Sequence, residues 1–225
     1  MPLAAVVFDL YGTLLDIGTM RSHVSSAGID APDAFLAEWR RTQLEYAFLT
    51  SMAAAYRDFD ALTALALERT CAVRGVDVNA SLRAALVDCW RAMPPYPDVR
   101  DALEALRALG VPRAVLTNGT PASADAALAA AGVRDAFDAV LCVDAVRAYK
   151  PDRRVYALAT THFACGPRDV AFVSSNAWDV WGASAFGFRV AWCNRHGGVP
   201  EALAPRAEAT IAGLHELEAF VATLR

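Results

Sequence analysis

Four short stretches of the chain carry side chains that can do chemistry, each placed where an apolar run ends. Val6-Val7-Phe8-Asp9-Leu10-Tyr11-Gly12-Thr13 supplies a carboxylate and a hydroxyl, and Leu116-Thr117-Asn118-Gly119 a hydroxyl and a carboxamide. Tyr149-Lys150-Pro151-Asp152 adds an ammonium group, and Phe172-Val173-Ser174-Ser175-Asn176-Ala177-Trp178-Asp179 adds hydroxyls, an amide and a second carboxylate. A free carboxylate titrates at about 4, so an ionised Asp9 is a usable nucleophile at neutral pH. A single Asp after a strand serves equally well as a turn or helix cap. Four polar sets after four apolar runs form a far more specific pattern.

Such groups converge when the runs are strands of one open α/β sheet, whose ligand crevice lies outside the carboxyl ends of the strands. Beyond Pro94-Pro95-Tyr96-Pro97, where three prolines in four residues stop any helix, the pattern alternates. It predicts helices over 98–109, 121–131, 152–162 and 177–186, and strands over 113–116, 139–143, 170–173 and 189–192. Residues from about 17 to 93 read as helical throughout, with breaks at Gly28-Ile29-Asp30-Ala31-Pro32 and Gly75-Val76-Asp77. The fold class is therefore α/β: a Rossmann-like parallel sheet core, residues 1–15 plus 97–225, with an inserted all-helical cap subdomain, residues 16–96.

At 225 residues, with 56% hydrophobic and 20% charged side chains, the chain can bury a real core. A formal charge of −4 gives no electrostatic footprint for nucleic acid or anionic membrane, which leaves a small molecule as the expected partner. No run is long enough to span a bilayer, and Met1-Pro2-Leu3-Ala4-Ala5 lacks the basic region and cleavage site of a signal peptide, so a cytoplasmic protein is expected. The five cysteines, Cys71, Cys89, Cys142, Cys165 and Cys193, form no C-x-x-C, and four histidines are scattered without ligand spacing. Free thiols are expected, and no structural zinc.

Taken together, D-x-Y-G-T-L from Asp9, T-N-G from Thr117, K-P at Lys150 and S-S-N-A-W-D from Ser174 resemble the haloacid dehalogenase (HAD) superfamily, and within it the L-2-haloacid dehalogenase family. The likeness runs over nearly the whole chain. Phosphatases of that superfamily carry a second Asp two residues after the first, to protonate a leaving alcohol, and hold magnesium through further carboxylates. This chain has Tyr11 at that place and Ser175-Asn176 where a metal-binding Asp usually stands. Too few carboxylate oxygens remain for a hard cation, and a halide ion, unlike an alkoxide, departs without a proton. The resemblance thus implies an (S)-2-haloacid dehalogenase needing neither metal nor cofactor: a hydrolase acting on carbon–halide bonds, converting short L-2-haloalkanoic acids to D-2-hydroxyalkanoic acids.

In that reading Asp9 attacks C2 and forms an aspartyl ester, which water then cleaves at the Asp9 carbonyl carbon. Only the first step inverts C2. The cap segment Trp39-Arg40-Arg41-Thr42-Gln43-Leu44-Glu45-Tyr46 resembles the family's W-R-x-x-Q-L-E-Y, whose first Arg faces the halide. Arg40 and Leu44, four apart, share a helical face. Asn118 and Trp178 complete the halide cradle. Thr117, with the amides of Leu10, Tyr11 and Asn118, binds the substrate carboxylate, while Tyr11, Leu44, Phe59 and Trp178 wall the alkyl part. Phe59 reads equally as ordinary cap core. Asp179 is the candidate base or water-orienting group, held by Lys150, Ser174 and Asn176 with Ser175 in the same network, and Lys150 is expected to keep it ionised. Thr13 belongs with the catalytic set, and Tyr156 is expected to support Asp9 or Lys150 beside the substrate.

Three residues depart from the family pattern: Arg41, where Gln is common, Thr117, where Ser is common, and the bulky Trp181 behind the site. An alternative within the family is hydrolysis at another C2 substituent, such as the ring nitrogen of azetidine-2-carboxylate; a phosphatase or a non-catalytic binding protein ranks lower. The resemblance also implies a homodimer associating through cap helices.

Overall fold

Six strands, β1 (Ala5–Phe8), β2 (Arg113–Thr117), β3 (Ala139–Cys142), β4 (Val170–Ser174), β5 (Arg189–Cys193) and β6 (Ala209–Ile211), form one sheet. Their order is β3-β2-β1-β4-β5-β6 and every pair is parallel. The computed structural model describes residues 3–224. The chain order reverses direction across the sheet between β1 and β4, which is the switch point where open α/β sheets leave a crevice. Asp9 directly follows β1 at that point.

The strands are buried on both faces, and their side chains alternate between two cores as a two-residue period requires. Val6, Phe8, Val115, Ala171 and Val173 point to one face, where α5 (Val99–Ala108), α6 (Pro121–Ala130) and α9 (Leu217–Thr223) pack. Ala5, Val7, Ala114, Leu116 and Phe172 point to the other, covered by α7 (Arg153–His162) and α8 (Ala177–Phe186). The first of these cores runs on through Trp39 and Trp90 into a block of four helices, α1 (Met20–Ser26), α2 (Pro32–Met52), α3 (Phe59–Arg74) and α4 (Ala80–Asp88).

Local chemistry sets the ends of these helices. Asp58 accepts from the amide of Ala61 at 2.8 Å to start α3, and Gly75 ends it at φ +64°. Asn79 caps α4 through the Leu82 amide at 2.8 Å, and Pro32 begins α2. The insertion leaves and rejoins the sheet region side by side: the Asp16 amide donates to the Pro94 carbonyl and the Tyr96 amide to the Leu14 carbonyl, both at 2.9 Å.

The alternating half follows the expected order with small shifts. β2, β4 and β5 each extend one residue further and β3 one fewer. Asp152 lies outside α7 as its cap, accepting from the Arg154 amide at 2.9 Å, and α5 begins after Asp98. Sequence reasoning missed β6 and α9 altogether. A three-residue edge strand and a seven-residue helix are too short to show a period.

Candidate active site

The loop after β1 is built from backbone first. The Asp9 amide donates to the Val173 carbonyl at 2.9 Å, carrying the β1–β4 pairing one residue past the strand. The chain then turns: the Leu10 carbonyl accepts from the amides of Thr13, Leu14 and Leu15 at 3.3, 2.9 and 3.1 Å. Gly12 takes φ +88° in that turn, a conformation an L side chain resists.

Three groups hold the Asp9 carboxylate, which is only 7% exposed. Lys150 Nζ donates to Oδ1 at 2.9 Å, while Thr13 Oγ1 and Asn176 Nδ2 both donate to Oδ2 at 2.9 Å. Two donors thus engage Oδ2, whereas Oδ1 has one partner and keeps a lone pair directed elsewhere. Thr13 Oγ1 in turn accepts from the Ser175 amide at 2.9 Å, and Asn176 Nδ2 also reaches the Tyr11 carbonyl at 3.3 Å.

Asp179 is held differently from the sequence-based expectation. Lys150 Nζ donates to its Oδ2 at 3.0 Å as expected, but the second partner is Tyr156, whose hydroxyl donates to Oδ1 at 2.8 Å. Ser174 instead accepts from the Asn176 amide at 3.1 Å, Asn176 serves Asp9, and Ser175 contributes its amide to Thr13. The reason is the packing of α7 on α8. Gly182 lacks the Cβ that would strike the Tyr156 hydroxyl and Pro151, so the ring reaches past α8 to the carboxylate. Tyr156 is therefore a wholly buried partner of Asp179.

Burial pushes Asp179 above the ordinary carboxylate range, against the pull of Lys150. Burial would lower Lys150, but its two carboxylates outweigh it and hold the ammonium above its usual value. One fully buried cation thus serves two carboxylates.

On the opposite side of Asp9, Leu10, Thr117 and Asn118 are buried. Thr117 Oγ1 accepts from the Gly119 amide at 3.0 Å, leaving its proton free to donate. Asn118 Oδ1 accepts from the Lys150 amide at 3.1 Å, which leaves the NH2 end of the carboxamide as its free group. The amides of Leu10, Tyr11 and Asn118 donate to no protein group among the described residues. Such a set of free donors suits an anion. Burial lifts the Tyr11 phenol well above its ordinary range, so it stands as a neutral wall two residues after Asp9.

The helical block supplies the remaining charge. Arg40 NH1 donates to Gln43 Oε1 at 2.6 Å and the guanidinium lies 5.6 Å from the Trp90 ring centroid. Burial lowers Arg40, opposed by the charge of Asp9. Leu44 is half-buried on the same helix, and Phe59 is buried against Tyr149. Arg41 points the other way, exposed and paired with Glu38 at 2.6 Å and Glu45 at 3.1 Å, so its charge is compensated on the outer face of α2. Trp178 packs edge-on to Phe48, with ring centroids 5.4 Å apart. With Trp181 it lines a surface groove of about 530 Å³, and Trp181 donates to the Ala204 carbonyl at 3.2 Å instead of filling space behind the site.

Gln43 escaped notice in the sequence although it stands inside the quoted cap motif. Its Nε2 donates to Thr63 Oγ1 at 2.6 Å, so a buried carboxamide clamps Arg40 from α2 to α3. Its place one turn from Arg40 was the available signal. Trp90, which meets Trp39 edge-on and lies against the Arg40 guanidinium, lies in no motif. Among the described residues no cluster of three or more His, Cys, Asp or Glu is arranged to hold a metal ion, and the Asp9 oxygens face amide, hydroxyl and ammonium donors.

A family model described as haloacid dehalogenase-like hydrolase matches residues 3–187. The (S)-2-haloacid dehalogenase of Pseudomonas sp. (strain YL) is 42% identical over 199 residues, 88% of this chain and 86% of that one. The (S)-2-haloacid dehalogenase H-109 of Pseudomonas putida is 37% identical over 217 residues, 96% of each chain. The structure of L-2-haloacid dehalogenase from Xanthobacter autotrophicus with chloropropionic acid covalently bound superposes with a TM-score of 0.91 at 32% identity, covering all of both chains. None of these relatives supports the azetidine alternative.

Proposed function

Because the chain belongs to the haloacid dehalogenase-like hydrolase family, we propose that it is an (S)-2-haloacid dehalogenase, converting short L-2-haloalkanoic acids to D-2-hydroxyalkanoic acids and halide. One observation carries this reading: Asp9 is held ready by Thr13, Lys150 and Asn176, while the residue two further on is a buried, neutral Tyr11. A nucleophile is present and an acid for an alkoxide leaving group is not.

The substrate carboxylate takes the Thr117 hydroxyl and the free amides of Leu10, Tyr11 and Asn118. C2 then lies before Asp9 Oδ1, the oxygen with the open lone pair. Oδ1 attacks in line, the carbon–halogen electron pair leaves with the halide, and the developing charge meets Arg40 and the Asn118 NH2 group. Water next adds to the carbonyl carbon of the Asp9 ester and its proton passes to the Lys150–Asp179 pair, where burial has made Asp179 a stronger base than a free carboxylate. Collapse returns the Asp9 carboxylate, and the proton taken up by the Lys150–Asp179 pair passes to the departing alkoxide oxygen, releasing the hydroxy acid.

Residues 16–96 act as the cap and 1–15 plus 97–225 as the core. Pairing into a homodimer through the cap is supported by Leu49, 52% exposed, and Met52, 85% exposed, near the end of α2. The cysteines are free, in keeping with a reducing, cytoplasmic compartment. No helix among the described residues is long and apolar enough to cross a membrane.

A single turnover in heavy-oxygen water with enzyme in excess tests the route. Label is expected in Asp9 and absent from the first product. Label in the product of that first turnover overturns it.

A further inference from the structure

Arg195, in the loop after β5, lies outside every motif and far along the chain from Asp9, yet its guanidinium is buried behind the nucleophile loop. Its side chain is 10% exposed and pairs with Asp98, NH1 to Oδ2 at 2.7 Å and NH2 to Oδ1 at 2.9 Å. It also lies 4.2 Å from the centroid of the Tyr96 ring. Asp98 is itself fixed by the amide of Leu214 at 2.7 Å, in the C-terminal segment that leads into α9. Burial would raise Asp98, but Arg195 and the Leu214 amide hold it below the ordinary carboxylate range.

The pair with Asp98 leaves NH2 one further bond, and it goes to the Thr13 carbonyl at 3.3 Å. That carbonyl has no other donor among the described residues. The Thr13 side chain donates to Asp9 Oδ2 and accepts the Ser175 amide, so a shift of this backbone moves the hydroxyl off both. We infer that Arg195 is a positioning residue for the reaction: through the Thr13 carbonyl it fixes the hydroxyl that orients Asp9. The inference rests on the dehalogenase reading for its kinetic consequence and on geometry alone for its structural one.

Two measurements on the full chain test it. For chloride release from (S)-2-chloropropionate, Arg195→Lys is expected to lower kcat by about tenfold to a hundredfold with KM held within about twofold. In a Thr13→Val background the same change should add nothing, because the hydroxyl through which it acts is gone. Independently of substrate, amide exchange at Ser175 should speed up in Arg195→Lys while Val7 and Phe172 in the sheet keep their protection. If the two losses multiply in the double variant, or Ser175 exchange is unchanged, the inference falls. Should wild type release no chloride while Ser175 responds as expected, the dehalogenase reading falls and the Arg195–Thr13 link stands. If Arg195→Lys does not fold, Asp98→Asn, which keeps the guanidinium and loosens it, takes its place: slower turnover and faster Ser175 exchange support the link, and unchanged Ser175 exchange overturns it.

Discussion

Asn176 occupies the N-cap position of α8, yet its carboxamide makes no bond to the first turn of that helix and donates to Asp9 Oδ2 instead, at 2.9 Å. An Asn cap is ordinarily worth about 1 kcal/mol to a helix. Local helix stability has been given up to hold the Asp9 carboxylate, as expected where a chain breaks a local rule at a functional site.

Replacing Asn176 by Asp tests that exchange. The variant sets a second carboxylate against Asp9 Oδ2, removes a donor and raises the affinity of the pair for a proton. Halide release at pH 7 should fall by about a hundredfold or more, with the fold retained by circular dichroism. Wild type dialysed against a chelator should keep its full rate, since the Asp9 oxygens face ammonium, hydroxyl and amide groups.

Tyr156→Phe removes a hydrogen bond that lowers Asp179. Burial already raises this carboxyl and Lys150 opposes it, so losing the phenol lifts it further. The ionised form is the one that accepts the proton, and the acid limb of the kcat profile should therefore move to higher pH. A profile of ester hydrolysis from pH 4 to 9, about the range where carboxyl and imidazole groups titrate, measures it. An unmoved limb would remove Asp179 from the hydrolytic step.

Lys150→Met leaves two carboxylates facing each other without their cation. Unpairing a buried charge costs about 3–5 kcal/mol, which urea unfolding should register at pH 7. The sign follows from Lys150 being held above its ordinary value. Its contribution is complete below the unfolded value of about 10.4 and is lost as pH rises through the higher folded one. The gap between wild type and Lys150→Met should therefore persist through neutral pH and narrow in strong alkali.

Arg40→Lys keeps the charge but loses the planar group that bonds Gln43 and lies against Trp90. A kcat loss of about a hundredfold is expected for 2-chloropropionate. The loss should be smaller for 2-bromopropionate, whose leaving group needs less help. Equal losses for the two halides would place Arg40 outside the departure step.

The sheet and the polar groups at its strand ends were legible because each apolar run stops at a side chain of unlike chemistry. Asp9, Thr13, Lys150 and Asn176 could be set around one crevice from sequence alone. Which donor meets which acceptor could not. Tyr156 bonds Asp179 because α7 and α8 meet at Gly182, a contact between segments that no local pattern encodes. Trp178 resembles its motif but turns to Phe48 of α2. Arg195 is a lone residue in a loop, and the segment bracing it through Leu214 is too short to show a period.

The helices α1 to α4 join the sheet region along the chain where Leu14 meets Tyr96 and Asp16 meets Pro94 through paired amides and carbonyls, and rest on it through the Tyr149 hydroxyl on the Arg57 carbonyl, the Ser123 hydroxyl on Asp60 and the Trp178 ring on Phe48. A graft cut at that seam keeps the six-strand register and the bonds of Thr13, Lys150 and Asn176 to Asp9 where the incoming block meets Tyr149, Ser123 and Trp178 in the same way. It would exchange Arg40, Leu44 and Phe59 in one piece. The helical block's share of the site is thus transplantable as a cassette, while Tyr11, Asn118 and Trp178 stay with Asp9 in the host.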